Sequence, residues 1–282
     1  MKKILLSLSF VLIFSSCVFA EENQVKEDRA YFPPVVMYHD IKAEARDMFD
    51  VLLDDFCAQL DWLKENNYET LSMEDFVSIV KHGKPFPEKS ILLTFDDGYS
   101  GTTNYVIKEL KKRGMKATFF IITDMIGVFS TRYAHVTHKQ VKEIAKNELF
   151  SIGSHSLSHP HLDDLDDDEL EDQIEDSKEY LEELTGKKVL AFAYPYDEYD
   201  EEIIDAVIDA DYEVAFAVQN GELYDRPARY SIPRIYMGLK LCENNQELFK
   251  KYVQDYKNMP PEAFAERFQP LSNDANWFRE NN

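Results

Sequence analysis

The chain has 282 residues, of which 44% are hydrophobic and 13% aromatic, so it can bury a large core and is not wholly disordered. Its 31 Lys and Arg residues against 53 Asp and Glu residues give a net charge of −22. A protein with this charge is not expected to bind nucleic acid through phosphate contacts, or an anionic membrane through its folded domain.

The first twenty residues have the composition of an export signal. Lys2 and Lys3 precede an apolar run over residues 4–14, which falls short of the roughly 20 residues that a membrane-spanning helix needs. Two processing sites are open. Ordinary cleavage would follow Ala20, whereas the FSSC sequence resembles a bacterial lipobox and would leave Cys17 lipidated. Both processing sites predict an exported protein that is periplasmic, displayed on the cell surface or secreted. Contact with a membrane is expected only through a lipid anchor at Cys17, if that residue is lipidated.

The remaining chain is interpreted as three segments. Residues 21–31 are polar and form a tether, residues 32–258 form a single folded domain, and residues 259–282 form a tail whose role the sequence does not indicate.

Strands and helices alternate along the folded domain. Apolar runs predict strands at 33–38, 91–95, 117–122, 151–153, 189–194 and 214–218. Helices are predicted around Phe56, Leu60 and Leu63, after the capping pair Ser72 and Asp75, and at 106–112, 137–147, 166–184 and 201–209. The strands are apolar without alternation, as in a parallel sheet that is covered on both faces. This pattern predicts an α/β fold, with chemistry at the carboxyl ends of the strands.

Two neighbouring carboxylates follow the strand at 91–95. Asp96 and Asp97 point in different directions there, so one can bind a cation while the other faces a substrate, and Gly98 permits a sharp turn. An Asp-Asp-Gly turn by itself is also common in solvated loops.

A histidine pair follows the strand at 151–153. His155 and His159 are four residues apart, a spacing that can place two imidazoles on one ion. Two His and one carboxylate, with open positions left over, describe a catalytic site for zinc or a related divalent metal. Taken alone, the histidine pair could equally lie in a surface turn. His161 is expected to pack beside the site.

A third motif, FAYPYD at residues 192–197, follows the strand at 189–194. In this order and spacing, the three motifs resemble those of the polysaccharide deacetylases of carbohydrate esterase family 4, the NodB homology domain. The resemblance runs from about Val35 to Tyr236. It implies a single-domain, distorted (β/α) barrel of about seven strands.

The resemblance also implies roles for individual residues. Asp96 corresponds to the catalytic base, and Asp97, His155 and His159 correspond to the metal ligands. Tyr196 lies where a backbone N–H helps to hold the oxyanion, in a loop with Tyr194 and Pro195 that walls the groove. One divalent ion is implied, with zinc expected and cobalt, nickel or iron as alternatives.

Two features depart from the common family pattern. No His follows His161, although the family usually has a catalytic His near the C-terminus, and Ala193 replaces the Arg of the third motif. Both departures resemble the branch of exported poly-N-acetylglucosamine deacetylases, in which the general acid comes from an N-terminal Tyr-His pair. His39 is the corresponding residue here.

The same branch suggests a substitute for the missing Arg. Arg234 is expected to take its place beside Asp96, against the alternative of a surface Arg at a strand edge. Asp197 stands where the branch has Gly, and Asp tolerates left-handed backbone better than most residues.

The resemblance therefore predicts a monomeric, metal-dependent hydrolase that removes acetyl groups from a poly-β-1,6-N-acetylglucosamine-like polysaccharide. Two alternatives stay open. One is the same reaction on peptidoglycan or chitin-type amino sugars, and the other is a catalytically inactive glycan-binding protein.

Overall fold

The computed structural model describes residues 33–44, 49–82, 86–130, 133–217, 228–238 and 245–255. The predicted signal (1–20), tether (21–31) and tail (259–282) lie outside these residues, as does Cys17. Within the described ranges, no helix is both long and apolar enough to span a bilayer.

The elements alternate as predicted. The strands are β1 Val35–Tyr38, β2 Asp40–Lys42, β3 Asp50–Leu52, β4 Glu69–Thr70, β5 Ser90–Phe95, β6 Ala117–Ile121, β7 Phe150–Ser154, β8 Ala191–Ala193, β9 Val214–Ala217, β10 Ile232–Pro233 and β11 Ile235–Tyr236. The helices are α1 Leu53–Glu65, α2 Met73–His82, α3 Ile107–Arg113, α4 His138–Ala145, α5 Asp167–Glu171, α6 Ser177–Thr185, α7 Glu201–Asp209 and α8 Asn245–Asp255.

Local sequence accounts for the ends and faces of the first two helices. Phe56, Leu60 and Leu63 are fully buried on one face of α1, as their spacing predicts. Ser72 caps α2, since its Oγ accepts from the Asp75 backbone N–H at 3.1 Å and donates to the Asp75 carboxylate at 2.8 Å.

The sheet confirms the predicted distorted barrel. Its strands pair in parallel in the order β10-β9-β8-β7-β6-β5-β1-β11, with β4 beside β5. The path contains eight strands where about seven were expected. The additional one arises because β10 and β11 are separated by Arg234 alone. Ile232 in β10 pairs with Phe216, and Ile235 in β11 pairs with Val36, so this stretch joins the two ends of the sheet into a nearly closed barrel.

The strands are buried on both faces, which explains their unbroken apolar sequences. One set of strand side chains, including Leu93, Phe119 and Ile152, packs in a core with α1, α3, α4, α6 and α7. The other set, including Leu92, Phe120 and Phe216, forms a second core with α2. The carboxyl ends of the strands are thereby left to carry polar side chains.

The predicted helix over 166–184 is interrupted. A π-helical segment at Asp172–Asp176 separates α5 from α6, and a second one at Thr102–Val106 leads into α3. Each inserts a wider turn, for which these sequences carry no recognisable signal.

Candidate active site

One cavity of about 360 Å³ lies at the carboxyl ends of the strands and holds most of the predicted site. Its lining includes the site residues His39, Asp96, Asp97, His155, His159, Tyr194, Tyr196, Asp197 and Arg234. β1, β5, β6, β7 and β8 end beside it, so loops from five neighbouring strands converge there. Pro195 is buried behind the cavity and is not among its lining residues.

Asp96 and Arg234 form a buried ion pair. Both residues are 1% exposed. The two guanidinium nitrogens Nη1 and Nη2 of Arg234 each lie 2.8 Å from one carboxylate oxygen of Asp96. This two-point contact fixes the orientation of the carboxylate. Arg234 therefore lies beside Asp96 inside the barrel, and the surface alternative is wrong.

Asp97, His155 and His159 offer three ligand atoms within 4.8 Å of one another. The Oδ1 atom of Asp97 lies 3.4 Å from Nε2 of His155 and 3.7 Å from Nε2 of His159. His155 Nδ1 donates to the carbonyl oxygen of Ala193 at 2.7 Å, which fixes the ring with Nε2 facing the cluster.

The donor set fits a divalent metal. Oδ1 of Asp97 is buried and has no hydrogen-bond partner among the described residues, although an orphaned buried oxygen is costly. Two imidazoles and one carboxylate with open positions suit Zn²⁺, and the same set also suits Fe²⁺. These residues are therefore able to hold one metal ion.

The electrostatics of the cluster favour an ionised Asp97 and a neutral His159, but a protonated His155. Burial alone would raise the pKa of Asp97, but the close imidazoles of His155, His39 and His159 hold it well below its usual range. Burial, helped by repulsion from His155, lowers the pKa of His159 to about 4. For His155, burial lowers the pKa, but the nearby carboxylates of Asp97 and Asp96 outweigh this and raise it. A carboxylate and a neutral imidazole are the forms that bind metal.

Left-handed backbone recurs at the turns that carry the site. The φ angles are +67° at Asp97, +63° at His159, +55° at Tyr196 and +62° at Asp197. Such conformations cost non-glycine residues on the order of 1–3 kcal/mol each and persist where the surrounding structure fixes them. The Asp that replaces Gly at position 197 thus retains the left-handed turn, as expected.

His39 follows β1 directly and sits among aromatic rings. Its ring centroid is 5.0 Å from that of Phe49 and 5.8 Å from that of Tyr236. Nδ1 of His39 is buried without a hydrogen-bond partner in the described part of the chain. Burial lowers the pKa of His39, opposed by the charges of Asp97 and Asp96.

The loop after β8 supplies one wall of the cavity. Tyr196 lies against His159, with ring centroids 4.5 Å apart. Tyr194 also lines the cavity, but its hydroxyl donates to the carbonyl oxygen of Tyr230 at 2.9 Å, and burial raises its pKa well above the ordinary value. Tyr194 therefore contributes a ring to this wall while its hydroxyl serves the fold.

One contact of this loop was not anticipated from the sequence. His161 stacks on Tyr196 at a centroid distance of 4.0 Å, and its Nδ1 donates to the Glu198 carboxylate oxygens at 2.8 and 2.9 Å. The pair connects the loop after β7 to the loop after β8 beside His159. His161 was expected to pack here, but no sequence signal identified Glu198 as its partner.

Tyr99 and His135 also line the cavity, with ring centroids 4.9 Å apart. Tyr99 follows Gly98 directly, and this position next to the Asp-Asp-Gly turn is the signal that could have identified it. His135 comes from a separate loop and carries no motif.

Comparisons with known proteins agree with this geometry. A family model described as polysaccharide deacetylase matches residues 83–215. Bacillus subtilis YxkH, named as a polysaccharide deacetylase, is 30% identical over 211 residues, which cover 75% of this chain and 73% of YxkH. The poly-β-1,6-N-acetyl-D-glucosamine N-deacetylase of Staphylococcus epidermidis is 28% identical over 198 residues, covering 66% of this chain and 68% of that protein.

A solved structure extends the comparison to three dimensions. The Streptococcus pyogenes deacetylase PplD, in complex with acetate, is 26% identical, with a TM-score of 0.66 over 84% of this chain and 98% of PplD.

Proposed function

Since the chain belongs to the polysaccharide deacetylase family, we propose that it hydrolyses the N-acetyl groups of an extracytoplasmic, β-1,6-linked N-acetylglucosamine polymer and releases acetate. One observation carries the proposal: a largely buried two-His, one-Asp cluster lies in the same cavity as an Arg-oriented carboxylate and a third imidazole, that of His39. The Staphylococcus epidermidis relative supports the choice of polymer. The basic and apolar N-terminus supports export.

The proposed ligands of the metal are Asp97, His155 and His159, with zinc as the expected ion. When bound there, a divalent ion supplies a Lewis acid and makes nearby water more acidic. The convergence of the three ligand atoms, which lie within 4.8 Å of one another, supports this assignment.

The remaining steps fall to the protein's own groups. Asp96, held by Arg234, accepts the proton of the attacking water. The backbone N–H of Tyr196 donates to the oxygen that develops negative charge, while Tyr194 and Tyr196 wall the groove. His39 donates a proton to the departing amine, so that the amide C–N bond breaks, acetate is released and a glucosamine unit remains in the polymer.

The function is tested by acetate release from a panel of defined glycans. We expect release from β-1,6-linked N-acetylglucosamine oligomers, and its loss on treatment with a chelator. Faster acetate release from chitin oligomers or peptidoglycan fragments would show that the reaction is correct but that the proposed substrate is wrong. Binding of these glycans without any acetate release would favour the inactive, glycan-binding alternative.

The metal site makes a separate prediction. Purified protein should contain about one divalent ion per chain, and the double variant Asp97→Ala, His155→Ala should lose it, because two of the three protein ligands are removed. Elemental analysis measures both. His138→Ala, which removes an exposed His on α4, should keep the ion. Full metal content in the double variant would contradict the assignment.

The His161–Glu198 contact predicts an effect on rate. Glu198→Ala should lower kcat by about tenfold, because His161 loses the carboxylate that fixes its ring and the stacked Tyr196 is then held less firmly. Small misplacements of a positioning group are costly. Metal content should not change. Glu198→Gln, whose amide oxygen can still accept from His161, should recover most of the rate.

The matched control for this prediction is Glu202→Ala, which removes an exposed carboxylate at the start of α7. Equal kcat values for the Glu198→Ala and Glu202→Ala variants would show that the contact does not position Tyr196.

A further inference from the structure

The loop between β6 and α4 presents an unusual aromatic side chain. Phe129 is 69% exposed, more than any other large hydrophobic side chain among the described residues. A single exposed hydrophobic side chain is ordinary on a protein surface, so Phe129 points to a binding surface only through the features that surround it.

The segment that carries Phe129 is held by hydrogen bonds on both sides of the ring. The Ser130 N–H donates to the Tyr133 carbonyl at 2.9 Å, and the His135 N–H donates to the Val128 carbonyl at 3.0 Å. Phe129 itself pairs with Ala134 in an antiparallel bridge. Because the backbone of this segment is fixed, little backbone entropy remains to be lost when Phe129 binds a ligand.

The same segment reaches the active site. Tyr133 and His135 line the catalytic cavity, and His135 bridges to Tyr99 beside the metal ligand Asp97. His135 also lines a second, shallower depression of about 580 Å³, together with Phe129. The depression therefore adjoins the catalytic cavity, with His135 between the two.

The chemistry of the depression suits a sugar. Its polar lining includes Ser100, Thr103, Asn104, Lys139, Gln140 and Glu143. Hydroxyl and amide groups can exchange hydrogen bonds with sugar hydroxyls and acetamides, and an aromatic ring packs against the apolar face of a pyranose. Carboxylate and ammonium groups occur together there, which does not favour an anionic surface as the partner.

We propose that Phe129 and this depression form a second glycan subsite, which binds an N-acetylglucosamine unit next to the unit that is deacetylated. The inference rests on the proposed function, since a polymer whose acetamide lies at Asp97 must continue out of the catalytic cavity. The chain of contacts from Asp97 through Tyr99 and His135 to Phe129 gives its direction.

The test compares β-1,6-linked N-acetylglucosamine dimer and pentamer as substrates. In the Phe129→Ala variant, the ratio of kcat/KM for pentamer to that for dimer should fall about five- to tenfold, mainly through KM, because only the longer substrate reaches the ring. Phe129→Trp should keep the wild-type ratio. Tyr180→Ala, which removes another exposed aromatic ring on α6, should also keep it.

A binding measurement separates this inference from the proposed function. Calorimetric titration of pentamer into chelator-treated protein should give a five- to tenfold weaker Kd for Phe129→Ala, about the same factor as the kinetic ratio. A Phe129→Ala variant with the wild-type ratio and Kd would overturn the subsite and leave the proposed function standing. Loss of binding to lipid vesicles by Phe129→Ala, with glycan binding unchanged, would also overturn the subsite. If wild-type protein releases no acetate from either oligomer, the proposed function fails, and the Kd values alone decide the subsite.

Discussion

Replacing Arg234 by Leu is expected to lower the free energy of unfolding by about 3–5 kcal/mol, because it leaves the carboxylate of Asp96 buried without its counter-ion. Asp96 and Arg234 are each 1% exposed, so little water solvates the carboxylate. The two 2.8 Å contacts of the pair are lost together. Chemical denaturation with urea measures the change.

Two further variants isolate the cause. Adding Asp96→Asn to Arg234→Leu removes the uncompensated charge, so the double variant should recover a substantial part of the lost stability. Lys116→Leu breaks a 2.7 Å ion pair with Asp75, but Asp75 is 52% exposed, so this change should cost about 1 kcal/mol or less. Similar losses in the free energy of unfolding from Arg234→Leu and Lys116→Leu would show that the buried ion pair stabilises the fold no more than the exposed one.

The helix faces and helix ends could be predicted because the residues that determine them lie within a few positions of one another in the sequence. The spacing of Phe56, Leu60 and Leu63 determines the buried face of α1, and Ser72 determines where α2 begins. β10 and β11 could not be predicted, because a two-residue strand has no period to detect. Their existence depends on pairing with β9 and β1, which lie far away in sequence.

The same distinction applies to the site. Asp97, His155 and His159 were grouped by the resemblance of their motifs, and the structure places them in one cluster. Glu198 was missed because its contact with His161 joins residues 37 apart, in two different loops. The strained turns were also only partly predictable. Asp197 replaces a Gly and was expected to be left-handed, but Tyr196 has a bulky side chain and gives no such signal.

Replacing His39 by Ala is expected to lower kcat for deacetylation by about 10²–10⁴-fold, since an amine leaves poorly without a proton donor. His39 ends β1 next to β5, the strand that presents Asp96, so the two residues reach the cavity from neighbouring strands. Burial lowers the pKa of His39. A buried imidazolium therefore gives up its proton readily once the reaction creates a basic nitrogen beside it.

Metal content and substrate affinity distinguish this role from others. A proton donor does not hold the ion, so His39→Ala should retain a stoichiometric metal and an unchanged KM, while kcat alone falls. The alternative is a structural His fixed by a backbone carbonyl, but the buried Nδ1 atom has no such partner among the described residues. Hydrolysis of an aryl acetate ester provides the matched comparison, because its leaving oxygen scarcely needs a proton. The rate on the ester should therefore fall far less than the rate on the amide. If His39→Ala slows both substrates equally, or releases the metal, His39 is a ligand or a structural residue and the proton must come from another group.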